Sequence, residues 1–465
     1  MKRKQPAVYK HFIPTGLIAI LIVLGLPGLA RCTLITPAQT KQTSRRPAAT
    51  RKIAPPTPFG PVPSPRQLRW HELEFYGFVH FTINTFTDKE WGYGDEDPAL
   101  FNPTDFDAEQ IVRTAKEAGM KGLILTAKHH DGFCLWPTRT TTHSVARSPW
   151  RSGGGDLVRE FVDACRAEGL KPGLYCSPWD RNAPTYGDSP RYNDMYMEQL
   201  TELLTGYGDI HEVWFDGANG EGPNGRRQVY DWPRTFGLVK RLQPSSVIFS
   251  DAGPDVRWIG NEKGTAGDPN WSTVNPELVP YPGASGPGII EALQHGNRDG
   301  TVWRPGETDV SIRPGWFYHP AEDEKVRSVD NLVELYFTSV GRNSKLLLNV
   351  PPTREGLLHP TDVAQLRGMR ERLDTLLGTD LMKQRALLPN IPVSIVSLRE
   401  DITRGQSVAR YEVLGSNGGA WFSLSRGTTI GYRKLDRFPP TRLTNVRLLF
   451  PEVLRSGGPL TMELY

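Results

Sequence analysis

The sequence predicts an α/β chain, a (β/α)8-like barrel followed by a smaller C-terminal all-β sandwich. Three observations carry this. Short apolar strands alternate with capped amphipathic helices from about residue 70 to residue 350, the pattern of parallel strands joined by right-handed helical crossovers. One strand runs straight into Asp216-Gly217, and α/β barrels build their sites at the C-terminal ends of their strands. After about residue 385 the helical period gives way to short strands between turn signals.

Taken in order, residues 77–81 form the first strand. Asp107 caps a helix running to Ala118, with Gly119 as its stop. Residues 122–126 are the second strand, and Asp156 caps a helix that ends at Gly169. Residues 171–176 are the third strand, 190–205 a helix, and 212–216 the fourth strand. A helix over 234–242 leads to a strand at 246–250. A late helix over 329–340 feeds 345–350, the expected last barrel strand. Beyond 385, strands are expected at 392–396, 407–413, 429–432, 447–450 and 461–465. The division is therefore 1–30, 31–66, 67–384 (the barrel) and 385–465 (the sandwich).

The length of 465 residues suits a barrel of about 250 residues or more plus a second domain. The formal charge of +4 is misleading, because residues 1–66 hold 11 of the 55 basic residues and no acid. The remainder carries 44 basic and 51 acidic residues, a net of −7, so composition gives no case for nucleic acid. Met1-Lys2-Arg3-Lys4, an apolar run over 16–26, Pro27 and the small Gly28 and Ala30 make a signal peptide with cleavage after Ala30. This predicts export, to a periplasm or to the outside. The alternative is an uncleaved N-terminal membrane anchor; no other membrane partner is expected. Residues 31–66, rich in Pro, Thr, Ser and Arg, read as a disordered linker. The four cysteines (32, 134, 165 and 176) contain no CxxC pair. Cys134 and Cys176 both follow strands, which leaves a disulfide between them open.

Asp216 ends a buried strand, Val213-Trp214-Phe215, and Gly217 lets the backbone approach a ligand. The bland alternative is a turn or helix-capping aspartate. A second run, Arg257-Trp258-Ile259-Gly260-Asn261-Glu262, also delivers an acid, and two carboxylates at one barrel mouth suit glycoside hydrolysis. Lys128-His129-His130-Asp131-Gly132-Phe133 follows the second strand. Adjacent strand residues point to opposite faces, so the two histidines are poorly placed to chelate one metal. Hydrogen bonding to hydroxyls is the better use, against a reading with one ring buried and the other exposed. His80 points into the same mouth. Ser311 to His319 reads as a rigid loop presenting Trp316 and Tyr318, or as packed aromatics at a junction.

Together, His80-Phe81, Glu90-Trp91-Gly92, His129-His130-Asp131-Gly132-Phe133, Gly173-Leu174-Tyr175 and Val213-Trp214-Phe215-Asp216-Gly217 resemble the α-L-fucosidases of glycoside hydrolase family 29. The resemblance spans roughly residues 67–465. Trp258-Ile259-Gly260-Asn261-Glu262, the 311–319 segment, and Trp421 with Gly427-Thr428-Thr429-Ile430-Gly431-Tyr432 resemble its α-1,3/1,4-specific subgroup. The resemblance implies a retaining exo-fucosidase acting on Lewis-type oligosaccharides or glycoconjugates. It makes Asp216 the nucleophile and Glu262 the general acid/base, with Glu307 as rival. It implies that His80, Glu90, Trp91, His129, His130, Tyr175, Trp214 and Trp316 bind fucose. No metal or organic cofactor is implied. The competing readings are a broader fucosidase that also cleaves α-1,2 linkages, a metal-dependent hydrolase built on His129, His130 and Asp131, and a fucose-binding lectin on an inactive barrel.

Overall fold

The computed structural model describes residues 60–384, 388–454 and 460–465. The signal-like segment, the linker up to residue 59 and Cys32 lie outside the described residues.

Eight parallel strands close a barrel. They are β1 (Phe75–Val79), β2 (Gly122–Lys128), β3 (Lys171–Cys176), β4 (Glu212–Trp214), β5 (Val247–Ser250), β6 (Val256–Trp258), β9 (Gly306–Ser311) and β10 (Leu346–Asn349). The chain between the sixth and seventh barrel strands makes a small antiparallel pair, β7 (Thr273–Val274) with β8 (Val302–Trp303). Closure is through β1 and β10, with Phe75 level with Leu346. Most barrel strands are buried along their whole length, as strands enclosed between a filled barrel and a helical ring must be.

A first helix, α1 (Pro65–His71), is closed by a capping box in which Ser64 and Gln67 bond each other's backbone. It begins inside the stretch read from sequence as linker. The outer helices are α2 (Ile83–Thr87), α3 (Ala108–Glu117), α4 (Leu157–Glu168), α5 (Ser189–Gly206), α6 (Trp232–Leu242), α7 (Pro287–His295), α8 (Val329–Ser339) and α9 (Pro360–Leu377). The expected caps are present. Asp107 accepts the Gln110 N–H at 3.0 Å and Asp156 the Arg159 N–H at 2.9 Å. Gly169 ends α4 in the left-handed region at φ 78°.

No helix joins β5 to β6. Val256 lies level with Phe249 and Arg257 with Ser250, so the chain needs only a short reversal over 251–255 rather than a full crossover. Gly253, at φ 92°, makes that turn.

The C-terminal strands are β11 (Val393–Glu400), β12 (Val408–Ser416), β13 (Phe422–Gly427), β14 (Lys434–Thr441), β15 (Asn445–Val453) and β16 (Leu460–Leu464). They form two three-stranded antiparallel sheets, β14-β11-β16 and β13-β12-β15, around a core that includes Val396, Leu398, Val413 and Leu443. Residues 429–432, expected as a strand, are instead a loop. Gly431 has φ 63°, and Asn343 of the barrel accepts the Tyr432 N–H at 2.8 Å, so the segment docks rather than pairs.

The sandwich packs on the N-terminal side of the barrel. Glu74, just before β1, accepts from Arg399 at 2.8 Å and from Arg433 at 2.6 Å. The opposite mouth, where the strands end, is left free of it.

Candidate active site

A cavity of about 480 Å3 opens at the C-terminal ends of the barrel strands. It is lined by His80, Glu90, Trp91, His129, His130, Tyr175, Trp214, Asp216, Glu262 and Trp316, and also by Phe78, Gly217, Ala218, Asp251, Trp258 and Asp309. Residues from distant parts of the sequence thus converge because each follows or ends a barrel strand.

Asp216 lies two residues beyond β4. Its Oδ1 accepts the Ala218 N–H at 2.7 Å and its Oδ2 accepts the Tyr175 hydroxyl at 3.2 Å. His130 Nε2 stands 3.8 Å from Oδ2. Gly217 is required by proximity: a Cβ there would collide with the Asp251 carboxylate and the Gly283 backbone.

The expectation that His129 and His130 face opposite ways is corrected. Both line the cavity, with ring centroids 4.1 Å apart. β2 ends at Lys128 and its register on β3 shifts between Thr126 and Lys128, so the alternation of a regular strand does not extend to them. His80 Nδ1 bonds Asn349 Oδ1 at 2.9 Å, and Asn349 spends its amide hydrogens on Ser311 and Trp316. His80 therefore donates through Nδ1 and presents Nε2 as an acceptor. By the same logic Ser177 donates to the Trp179 carbonyl and accepts from His130 Nδ1 at 2.8 Å, leaving His130 Nε2 an acceptor. Burial pushes all three histidines below their ordinary range, His80 to about 3. They are neutral hydrogen-bonding rings. Among the described residues no group of three or more His, Cys, Asp or Glu is arranged to hold a metal.

Glu262 stands at the rim, and its Oε2 accepts the Trp316 indole N–H at 3.3 Å. Loss of solvation pushes its carboxyl up, the Trp316 bond opposes this, and the charges of Asp216 and Glu90 add to the rise. Glu307 is elsewhere. It is fully buried within the barrel, accepting from Tyr76 and, at 2.9 Å, from Trp214 Nε1. Asp309, two residues further along β9, faces the same way one layer higher and occupies the mouth. Beside Glu307, burial and the Glu307 charge push the Glu212 carboxyl up, and burial pushes Glu307 up as well.

Glu90 lines the cavity, but its carboxylate is occupied. It accepts the backbone N–H of Trp316 at 2.8 Å and of Phe317 at 3.0 Å, and bonds His319 at 2.7 Å. Of the aromatics in that loop, Trp316 reaches the cavity, whereas Tyr318 is buried under Arg313. The sequence reading missed Asp251 and Asp309 as cavity residues. Asp251 follows β5 directly, so the strand-end rule that singled out Asp216 would also have found it. Burial and the neighbouring Asp216 push Asp251 up to about 7. Asp309 accepts the Trp258 indole N–H at 2.7 Å. Cys134 and Cys176 flank Lys128 on either side but are free, buried thiols, as is Cys165.

Comparisons with known proteins identify the family. The alpha-L-fucosidase family model matches residues 65–375. Alpha-L-fucosidase 1 of Arabidopsis thaliana is 40% identical over 428 residues, spanning 82% of this chain and 83% of that protein. The solved structure of a glycoside hydrolase 29 family member from an unknown rumen bacterium superposes with a TM-score of 0.80 at 40% identity, covering 88% of this chain and 78% of that one. A Ruminococcus gnavus family 29 fucosidase, solved in complex with fucose, superposes with a TM-score of 0.78 at 30% identity, covering 89% and 96%. With the barrel, the sandwich and the carboxylate-bearing mouth already in place, these matches establish that the chain belongs to the α-L-fucosidases of glycoside hydrolase family 29.

Proposed function

We propose that the protein is a retaining exo-α-L-fucosidase that removes terminal α-1,3/1,4-linked fucose from Lewis-type oligosaccharides or glycoconjugates, and that it is exported. The observation that carries the mechanism is the different setting of two carboxyls in one cavity. Asp216 is held as an acceptor by Tyr175 and Ala218. Glu262 has its carboxyl pushed towards the protonated form. Separated in this way, one serves as nucleophile and the other as acid.

Asp216 attacks the anomeric carbon as the bond to the leaving oxygen breaks, and Glu262 gives its proton to that oxygen. The fucosyl ester on Asp216 is then opened by water. Glu262 takes the water's proton, and Asp216 leaves as carboxylate. The acceptor Nε2 atoms of His80 and His130 receive hydroxyl hydrogens of fucose. Trp316 and Trp214 pack on its apolar side. Placing Glu262 ahead of Glu307 rests on the burial of Glu307 behind Trp214, out of reach of a leaving group.

The test is fucose release from a Lewis-type trisaccharide, beside 4-nitrophenyl fucoside and a 2'-fucosyl oligosaccharide. Asp216→Ala is expected to abolish release, and azide to rescue Glu262→Ala. Equal release from all three substrates removes the linkage assignment. Binding of fucose with no release from any substrate moves the protein to a lectin. Export is tested separately, by sequencing the mature N-terminus.

A further inference from the structure

The chain between β6 and β9 carries Glu262 and then a second rim loop, Val279-Pro280-Tyr281-Pro282-Gly283-Ala284. This loop is locked to the floor of the mouth. The Asp251 carboxylate accepts the Gly283 N–H at 3.0 Å. Gly217 and Gly283 pack backbone to backbone, so closely that a Cβ on either would strike the other. A turn closes from the Ala284 N–H to the Tyr281 carbonyl at 3.2 Å. The residue that follows the proposed nucleophile is thus in direct contact with the loop that bears Tyr281.

Tyr281 itself is 59% exposed. A single exposed aromatic on a surface needs no explanation, but this one is fixed in two ways. Pro280 and Pro282 flank it, and a residue before proline is confined to extended backbone. Its anchor, Asp251, lines the same cavity as Asp216 and Glu262. The loop therefore carries Tyr281 at the rim beside Asp251, outside the residues that line the cavity. A leaving group protonated by Glu262 must emerge past this rim.

We infer that Tyr281 is the stacking platform for the leaving-group sugar, its face covering the C–H face of the hexopyranose to which fucose is attached. The inference rests on the fucosidase reading above. Preorganisation by the two prolines reduces the ordering cost of such a contact, and Tyr supplies a large rigid face with two rotatable bonds.

The experiment compares Tyr281→Ala and Tyr281→Phe with the unaltered protein on two substrates. One is α-L-fucosyl fluoride, which has no leaving-group sugar. The other is whichever fucosylated oligosaccharide the unaltered protein cleaves best. Tyr281→Ala is expected to lower kcat/KM on the oligosaccharide about tenfold, mainly through KM. Fluoride hydrolysis should be unchanged, and Tyr281→Phe should restore the oligosaccharide rate. Equal losses on both substrates, or no loss on either, overturn the platform while leaving the fucosidase reading intact. Failure of the unaltered protein on both substrates overturns both.

Discussion

Glu90 holds Trp316 in place: its carboxylate accepts the Trp316 backbone N–H at 2.8 Å, while the Trp316 indole N–H reaches Glu262 at 3.3 Å. Asn349 adds a bond from its amide to the Trp316 carbonyl at 2.7 Å. A side chain that the family resemblance makes a sugar ligand therefore fixes the partner of the proposed acid.

This chain of contacts predicts a pH shift. Burial raises the Glu262 carboxyl and the Trp316 bond lowers it. In Trp316→Phe the lowering contribution is gone, so Glu262 keeps its proton to higher pH. The alkaline limb of the kcat/KM profile should move upward. A limb that stays in place or moves down would show that the bond does not act on Glu262.

Glu307→Gln separates the two candidate acids. Tyr76 and Trp214 both donate to Glu307, and Gln can satisfy only one of them with its oxygen. A cost of about 1–3 kcal/mol in stability is expected. Because Glu307 lies beneath Trp214, azide should not rescue the variant and no fucosyl azide should form. Rescue by azide would return the acid/base role to Glu307.

The buried neutral histidines make stability depend on pH. His80 falls from 6.5 to about 3 on folding, chiefly through burial. Between those values the unfolded chain binds a proton that the folded chain refuses. This contribution to stability is complete above about 6.5 and is lost as pH falls towards 3. Asp131 and Asp251, each raised to about 7 by burial, act in the opposite direction, so the total curve mixes signs. The difference in stability between the unaltered protein and His80→Gln isolates the effect. It should be flat above 6.5 and fall by on the order of 1 kcal/mol per pH unit below. A flat difference down to pH 4 would mean that His80 is not buried neutral.

Glu74→Gln tests the docking of the sandwich. Burial raises the Glu74 carboxyl, but Arg433, Arg399 and Lys345 outweigh it and hold it at about 2. Removing the charge leaves Arg433 and Arg399 without their partner, a loss of roughly 3–5 kcal/mol for a buried pair. Thermal unfolding should move to lower temperature, with kcat of the folded protein unchanged because the mouth is at the other end of the barrel. An unchanged Tm would show that the two arginines find other partners.

The sequence by itself determined the barrel, the sandwich and the ring of residues at the mouth. Apolar strands, capping aspartates and glycine stops are local signals, and they placed α3, α4, α8 and β10 close to where they lie. Most functional residues sit at or near a strand end, so the strands grouped them; Glu90 and Trp91 lie beyond α2, and Trp316 follows β9, a strand the sequence reading does not assign. Four helices, α1, α2, α7 and α9, are missed from sequence: α7 begins after Gly286 without a side-chain cap, whereas α9 carries a start signal that the reading passes over, Pro360 behind a His359 cap. What only the tertiary structure decided depends on contacts between distant residues. The strand period puts Glu307 and Asp309 on one face but does not say which layer reaches the mouth. Closure of the barrel decides that, and it buries Glu307 under Trp214. The same is true of Glu90, whose partners lie more than 220 residues away. It holds also for Gly217, whose lack of a side chain is explained by Asp251 and Gly283 rather than by its own turn. Local propensity is written in neighbouring residues; the depth of a carboxyl, and so its protonation, is set by which elements close over it.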